Sequence, residues 1–271
     1  MALTDLQKRI MRRLSQNRSE SSYLAGGIIL NLDWPRRSDD IDIFHDTDEQ
    51  VSIAAKKDIA DLEASGFRAT VDVRAYGFFE ATVSDGSSAT IIQWMGETKL
   101  RFFPLIKDEQ WGLRLNQADL AINKVLAASS RRKARDFADI VAISANMCPL
   151  GPLIMAAAGK PPSYSPQRTI EHIRWHAQSI PDDEYMAVKG LPTDWTPQFI
   201  RAEITRQTDI AESYIMTAPV EVVGALAVNG DGIPIEVTGD TIGSAILRKA
   251  TDEPDVMPTP GEFGTIRWDH P

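Results

Sequence analysis

The chain has 271 residues, 43% hydrophobic and 25% charged, with a formal net charge of −9. This composition suits a folded protein of one or two domains, and the acidic balance argues against nonspecific nucleic-acid binding. No apolar run approaches the roughly 20 residues of a membrane helix. The charged N-terminus is unlike a signal peptide, and Cys148, the only cysteine, cannot form an intrachain disulfide, so a cytoplasmic location is expected. The four histidines are scattered with no Cys/His cluster, which argues against a structural zinc site. Charge is uneven: residues 131–135 read RRKAR, whereas residues 217–271 hold nine acidic and three basic side chains.

In chain order, Thr4 and Gln7 have the spacing of a capping box and predict a helix over 4–14. Residues 22–25 form a short strand candidate that runs into Gly26-Gly27. A short helix is expected over 28–32, ended by Asp33-Trp34-Pro35. Residues 40–44 alternate charged and apolar, the pattern of a strand. A long helix is predicted over 47–65, capped by Thr47 or Asp48 and stopped by Gly66. Strands are expected over 67–74, 77–84 and 89–95, with a hairpin turn in SDGSS at 84–88 and a further strand over 100–105.

From Asn116 the period changes from two to about 3.6. Helices are predicted over 117–128, 131–145, 151–158, 166–178, 182–189 and 197–216, with Pro166 and Pro197 at first helical positions. The last part contains a hairpin pattern around 229–232, then a proline-rich, loosely ordered end. The expected fold class is α+β: a mixed sheet with helices over 1–115, a helical domain over 116–216, and a small β-containing segment over 217–271. The few helices among the front strands argue against a doubly wound sheet.

The chemistry centres on residues 38–43, SDDIDI. On a strand, Asp40 and Asp42 share one face with Phe44, while Ile41 and Ile43 point to the other, buried face. Asp39 belongs to the turn, as Ser38 can. Alternate positions lie about 6.5–7 Å apart, so two carboxylates bent inward can hold one hard cation or bridge two. Gly26-Gly27, between a strand and a helix, can present backbone N–H groups to a phosphate, and Arg36 and Arg37 can reach phosphate oxygens. Phosphate donors beside metal-binding carboxylates are the two halves of a nucleotide–metal site. A solvated acidic edge is the bland alternative.

Downstream, Arg132, Arg135, Asp136 and Asp139 line one polar stripe of a helix, beside an apolar stripe of Phe137, Ile140 and Val141. A short turn places the preceding helix antiparallel, so Lys124 can approach Asp136 or Asp139. An ordinary interhelix ion pair is the simple reading of that trio.

G-G, a spacer, and S-D-D-I-D, followed by DLAINKVLA at 119–127 and RRKARDFADI at 131–140, resemble the signature of polymerase-beta-like nucleotidyltransferases. The likeness is to the AbiEii/MenT-type branch, toxin components of type IV toxin–antitoxin and abortive-infection systems, and covers roughly residues 20–145. It implies a polymerase-beta-like fold and Mg²⁺-dependent transfer of NMP from an NTP to a hydroxyl acceptor. Asp40 and Asp42 would hold one or two Mg²⁺, or Mn²⁺. Gly26, Gly27, Arg37, Ser38, Lys124 and Asp139 would bind nucleotide, and Asp136 would join Asp40, Asp42 and Lys124 in catalysis. The implied acceptor is an RNA end, tRNA first, with a protein hydroxyl open; a cognate antitoxin would be the partner. RRKAR is a candidate RNA contact. One departure stands out. The family's third carboxylate lies on a neighbouring strand, but the central polar residue of ATIIQWM is Gln93, with Glu80 as a substitute. A nucleotide-binding or regulatory protein without turnover is the alternative this raises.

Overall fold

The computed structural model describes residues 3–34 and 36–253. The chain divides into two compact units, one of Met1–Lys99 with Leu105–Asn116, the other of Leu100–Pro104 with Gln117 onward.

The first unit is built on a seven-stranded mixed sheet of order β3-β4-β5-β2-β1-β7-β6. Its strands are β1 (Ser22–Ala25), β2 (Asp40–His45), β3 (Arg68–Ala75), β4 (Phe78–Ser84), β5 (Ala89–Gly96), β6 (Ile106–Asp108) and β7 (Gly112–Arg114). The β2–β5 and β1–β7 pairings are parallel and the others antiparallel, so the sheet is not doubly wound. Among the described residues, three α-helices accompany it: α1 (Asp5–Leu14), the five-residue α2 (Gly26–Leu30) and α3 (Asp48–Ala64).

Helix α1 begins with the expected capping box. Gln7 N–H donates to Thr4 Oγ1 at 3.2 Å, and Thr4 N–H donates to Gln7 Oε1 at 3.0 Å. Thr47 takes the N-cap position of α3 without a side-chain hydrogen bond, and Gly66 ends it with φ +88°. That left-handed conformation strains a side chain but not glycine. The alternation along β2 is realised: Ile41 and Ile43 are fully buried on the face covered by α3, with Ile92, Trp94 and Phe79. Full burial of an isoleucine stabilises by about 1.5–3 kcal/mol, so the two fix the register of β2 and with it the face that carries its carboxylates. The hairpin turn at 84–88 forms around Asp85, whose Oδ1 accepts from the N–H groups of Ser87 and Ser88.

One strand expectation fails between the two units' segments. Residues 100–105 form no strand; only Arg101 makes an isolated bridge, to Thr251 within the second unit. The strands lie instead at 106–108 and 112–114, three residues each, too short for a period-two pattern to show.

The second unit holds α4 (Gln117–Ser130), α5 (Ala134–Asn146), α6 (Leu150–Ala157), α7 (Pro166–Ser179), α8 (Asp182–Met186) and α9 (Pro197–Ile215). Pro166 and Pro197 begin their helices, behind N-caps Ser165 and Thr196. Helix α8 stops at Met186, short of the expected 189. The C-terminal carbonyls of α4 are capped from α7: His176 Nδ1 lies 2.8 Å from Ala128 O, and His172 Nδ1 3.1 Å from Ser129 O. The 229–232 turn forms, with Gly232 N–H on Asn229 O at 3.0 Å. However, β8 (Ala225–Val228) makes its ladder with β9 (Ile246–Lys249) rather than with the segment just after the turn, which adds a single bridge at Pro234. The expected loose end from Pro254 on lies outside the described residues.

Among the described residues, no helix is long and apolar enough to cross a membrane.

Candidate active site

In the first unit, the sheet face opposite Ile41 and Ile43 carries a polar row. Ala25 on β1 pairs with Asp42 on β2, Asp42 with Gln93 on β5, and Gln93 with Glu80 on β4. Paired residues point to the same face, so Asp42, Gln93 and Glu80 stand side by side across three strands. Asp40 stands on that face one step back along β2, opposite Ile91.

Asp40 is only 7% exposed, so it is more enclosed than a projecting strand residue. Its Oδ1 accepts from Ser38 Oγ at 2.7 Å. Ser38 is in turn fixed by the N-terminal helix, because Gln7 Nε2 donates to Ser38 O at 2.8 Å. Gln7 thus closes the capping box of α1 and braces the turn before the carboxylates. Asp39 is the exposed turn residue, and its carbonyl accepts from Thr90 Oγ1 at 2.9 Å and from Ile91 N–H at 3.4 Å. These bonds tie the entrance of β2 to β5.

Gly26 lies against Asp42. Its φ is +70°, and a Cβ built there would stand 2.5 Å from Asp42 Cγ and 2.7 Å from Asp42 Cβ. Glycine is required twice over: for the left-handed backbone and for the space the carboxylate takes. At Gly27, an added Cβ would run into the guanidinium of Arg36, with Ser38 Oγ 3.4 Å away. Arg36 is buried, and its Nη1 donates to Arg37 O at 3.1 Å, whereas Arg37 is exposed. The two glycines therefore seat two different side chains, Asp42 and Arg36, beside the same turn.

Gln93 occupies the strand position next to Asp42. Its Nε2 donates to Glu80 Oε2 at 2.6 Å, so Glu80 acts on the row through the glutamine. With its amide nitrogen committed to Glu80, Gln93 has Oε1 as a neutral acceptor.

Two carboxylates on one face, with glycine making the room beside one of them, fit a hard divalent cation. Mg²⁺ commonly takes one or two protein carboxylates and completes its octahedron with water and phosphate oxygens. Among the described residues, no group of three or more His, Cys, Asp or Glu side chains converges as a metal cluster, so any cation here would lean on Asp40 and Asp42 together with its substrate.

In the second unit, Lys124 on α4 meets α5. Its Nζ lies 3.1 Å from Asp136 Oδ1 and 2.9 Å from Asp139 Oδ2, and both carboxylates are fully buried. The trio is a buried cluster, not the solvated stripe that helical spacing suggests. Arg131 adds a second cation to Asp136, with Nε to Oδ2 at 2.8 Å and Nη2 to Oδ1 at 3.2 Å. Burial alone would raise the Asp136 pKa, but Lys124 and Arg131 outweigh it and hold the carboxyl well below its usual range. Within the RRKAR run, Arg131 is thus tied to Asp136, and Arg132 Nη2 donates to Ser179 O at 2.5 Å. Residues 131–133 form the turn rather than the first helical residues, since α5 starts at Ala134.

Asp119, five residues before Lys124, has a part that spacing did not reveal. Its two oxygens accept from the N–H groups of Phe102 at 2.9 Å and Phe103 at 3.1 Å, pinning residues 100–104 to α4. Burial raises its pKa, with Lys160, the two N–H groups and Arg101 opposing. Cys148 is buried and its thiol is pushed up to about 12 by burial, which leaves it inert as a nucleophile.

No family model matches the chain, and no curated protein matches it. Among solved structures it is similar to JHP933 from Helicobacter pylori, at 14% identity and a TM-score of 0.46, over 79% of this chain and 97% of that one. It is also similar to MenT4, the nucleotidyltransferase toxin Rv2826c from Mycobacterium tuberculosis H37Rv, at 12% identity and a TM-score of 0.45, over 76% of this chain and 91% of that one. Both likenesses are distant, so function is argued below from the chain's own residues.

Proposed function

We propose that the protein is a nucleotidyltransferase that moves an NMP group from an NTP to a hydroxyl acceptor. The observation that carries the reading is the packing of Gly26 against Asp42: a strand–helix junction that excludes any side chain, placed against one of two carboxylates on a single strand face. Asp40 and Asp42 would hold one or two Mg²⁺ ions, or Mn²⁺. The cation would supply charge neutralisation for the triphosphate and the leaving pyrophosphate.

The chain's own groups do the rest. Ser38 and Gln7 hold Asp40 in place. The first-turn amides at Gly26 and Gly27 have no acceptor within their own helix and suit phosphate oxygens, and exposed Arg37 suits an outer phosphate. Gln93 Oε1, oriented through Glu80, is suited to accept a hydrogen bond from the attacking hydroxyl, although an amide cannot take its proton. The sequence resemblance assigns Lys124 to the nucleotide. Within its own unit, Asp136 and Asp139 fix the position of that ammonium.

The resemblance also supports an RNA end, tRNA first, as acceptor, and a toxin held by a cognate antitoxin. Growth arrest on expression, relieved by co-expression of a neighbouring gene, supports the toxin role; harmless expression contradicts it. Transfer itself is tested with labelled NTPs and total RNA. Label in RNA with wild type, lost in Asp42→Ala, supports the enzyme. Gln93 favours a second reading, nucleotide binding without turnover. NTP binding with no transfer to RNA, protein or small acceptors under Mg²⁺ or Mn²⁺ would establish it.

A further inference from the structure

The sheet has a second polar site, on the face opposite the carboxylates. Along β2, Asp40 and Asp42 point one way and His45, in step with Ile41 and Ile43, points the other. Ser22 is the register partner of His45 across the β1–β2 pair, so the two side chains are neighbours on that face. Together with Arg18, and with Ile53, Lys57 and Asp58 of α3, they line an open cavity of about 240 Å³.

Three buried polar atoms of this cavity's lining have no hydrogen-bond partner: Arg18 Nη1, Ser22 Oγ and His45 Nε2. The rest of the Arg18 guanidinium is fully used. Its Nε donates to Leu14 O at 3.3 Å, and its Nη2 to both oxygens of Asp58, at 2.8 and 2.6 Å. Asp58 is saturated as well, since Trp94 Nε1 donates to it at 2.7 Å and Asn17 Nδ2 at 2.9 Å. Folded proteins rarely leave buried donors unmet, because each has given up its water. Three such atoms, each with almost no accessible surface, belong to residues that line one cavity, so an acceptor from outside would reach them after a small side-chain shift.

The chemistry narrows the occupant. Burial, with Arg18 next, lowers the His45 pKa to about 4, against a smaller upward pull from Asp58, so near neutral pH the ring is uncharged and can donate through Nε2. Arg18 is balanced by Asp58, which leaves Lys57 as the net charge of the lining. One guanidinium NH₂ group, one hydroxyl and one imidazole nitrogen, with one cation at the rim, match an oxyanion of low charge. The volume lies below the roughly 300–1,000 Å³ of a drug-sized site, which suits a small molecule or the head group of a larger one.

We propose that this cavity binds a small oxyanion, a carboxylate or a phosphate, held by Arg18, Ser22, His45 and Lys57. The site is independent of nucleotide chemistry at Asp40 and Asp42, and its test does not read activity. His45 is followed by ¹H–¹⁵N side-chain NMR while inorganic phosphate or acetate is added at constant ionic strength, with His172 as internal control. A saturable His45 shift that leaves His172 unmoved is expected for at least one of the two anions, and which one identifies the head group. Lys57→Ala or Ser22→Ala should weaken it about tenfold or more. Lys57 is exposed, so that variant tests the site even where Ser22→Ala fails to fold. No saturable shift with either anion up to about 50 mM, a weakness beyond ordinary ligand affinities, would mean that the cavity holds only water and overturn the proposal. A shift that both substitutions leave unchanged, or that His172 shares, would overturn it equally.

Discussion

Replacing Gly26 with alanine separates the two reasons this position is glycine. The backbone at Gly26 has φ +70°, which costs an L-residue about 1–2 kcal/mol. The new methyl would also sit 2.5 Å from Asp42 Cγ and 2.7 Å from Asp42 Cβ. An ordinary contact begins near 3.4 Å, so the carboxyl carbon must retreat by about 0.9 Å. Rotating the carboxyl alone does not relieve the clash, because Asp42 Cβ is also too close. Misplacement of a reacting group by about 1 Å can cost roughly 100-fold in rate. Gly66 is the matched control: its φ is +88°, but nothing lies within 4 Å of an added Cβ. Gly66→Ala should therefore lose about 1–2 kcal/mol of stability and keep its transfer rate. Gly26→Ala should lose at least as much stability and about 100-fold in NTP transfer. Urea unfolding and initial rates of label transfer read the two effects separately. Equal transfer rates in Gly26→Ala and Gly66→Ala would refute the idea that Gly26 exists to seat Asp42.

Three further substitutions follow from the same structure. Lys124→Met leaves Asp136 and Asp139 buried without their shared cation and should cost about 3–5 kcal/mol, somewhat moderated by Arg131; an unchanged urea midpoint would show that the cluster is not held by Lys124. Because the Asp136 pKa is depressed in the folded protein, its contribution is present above the unfolded carboxylate range near pH 4 and is lost as pH falls through the lower, folded value. The stability gap between wild type and Asp136→Asn should thus be constant from about pH 5 to 7 and shrink below about pH 4; a gap independent of pH down to 2 contradicts the ion-pair account. Gln93→Glu places a carboxylate beside Asp42 and should raise transfer at least about tenfold near pH 8, where a proton acceptor helps most. No gain would mean that position 93 does not face the acceptor hydroxyl.

Much of the site could be read from local pattern. The alternation in DIDIF sets which face Asp40 and Asp42 share, because two isoleucines can only be buried together on the other face. The capping box at Thr4 and the helix-opening prolines at 166 and 197 were equally local and are realised. Long-range partners were not legible. Nothing near Gln7 in the sequence shows that its amide holds Ser38, 31 residues away, or that Asp119 holds the backbone of residues 102 and 103. The burial of Lys124 and both its aspartates was hidden for the same reason: helical spacing orders side chains around one helix and is silent on what covers them. Strands β6 and β7, three residues each, carry no readable period, whereas the apolar residues at 100–105 look like a strand yet are fixed by Asp119 and the Thr251 bridge.

The central claim is that Asp40 and Asp42 together seat a divalent cation that carries the NTP. Mn²⁺ electron paramagnetic resonance, with a nonhydrolysable NTP present, measures this directly. Wild type should take up Mn²⁺ with the nucleotide, and Asp40→Asn and Asp42→Asn should each weaken that uptake about tenfold or more while the fold stays intact. Equal Mn²⁺ uptake by wild type and both variants would contradict the account.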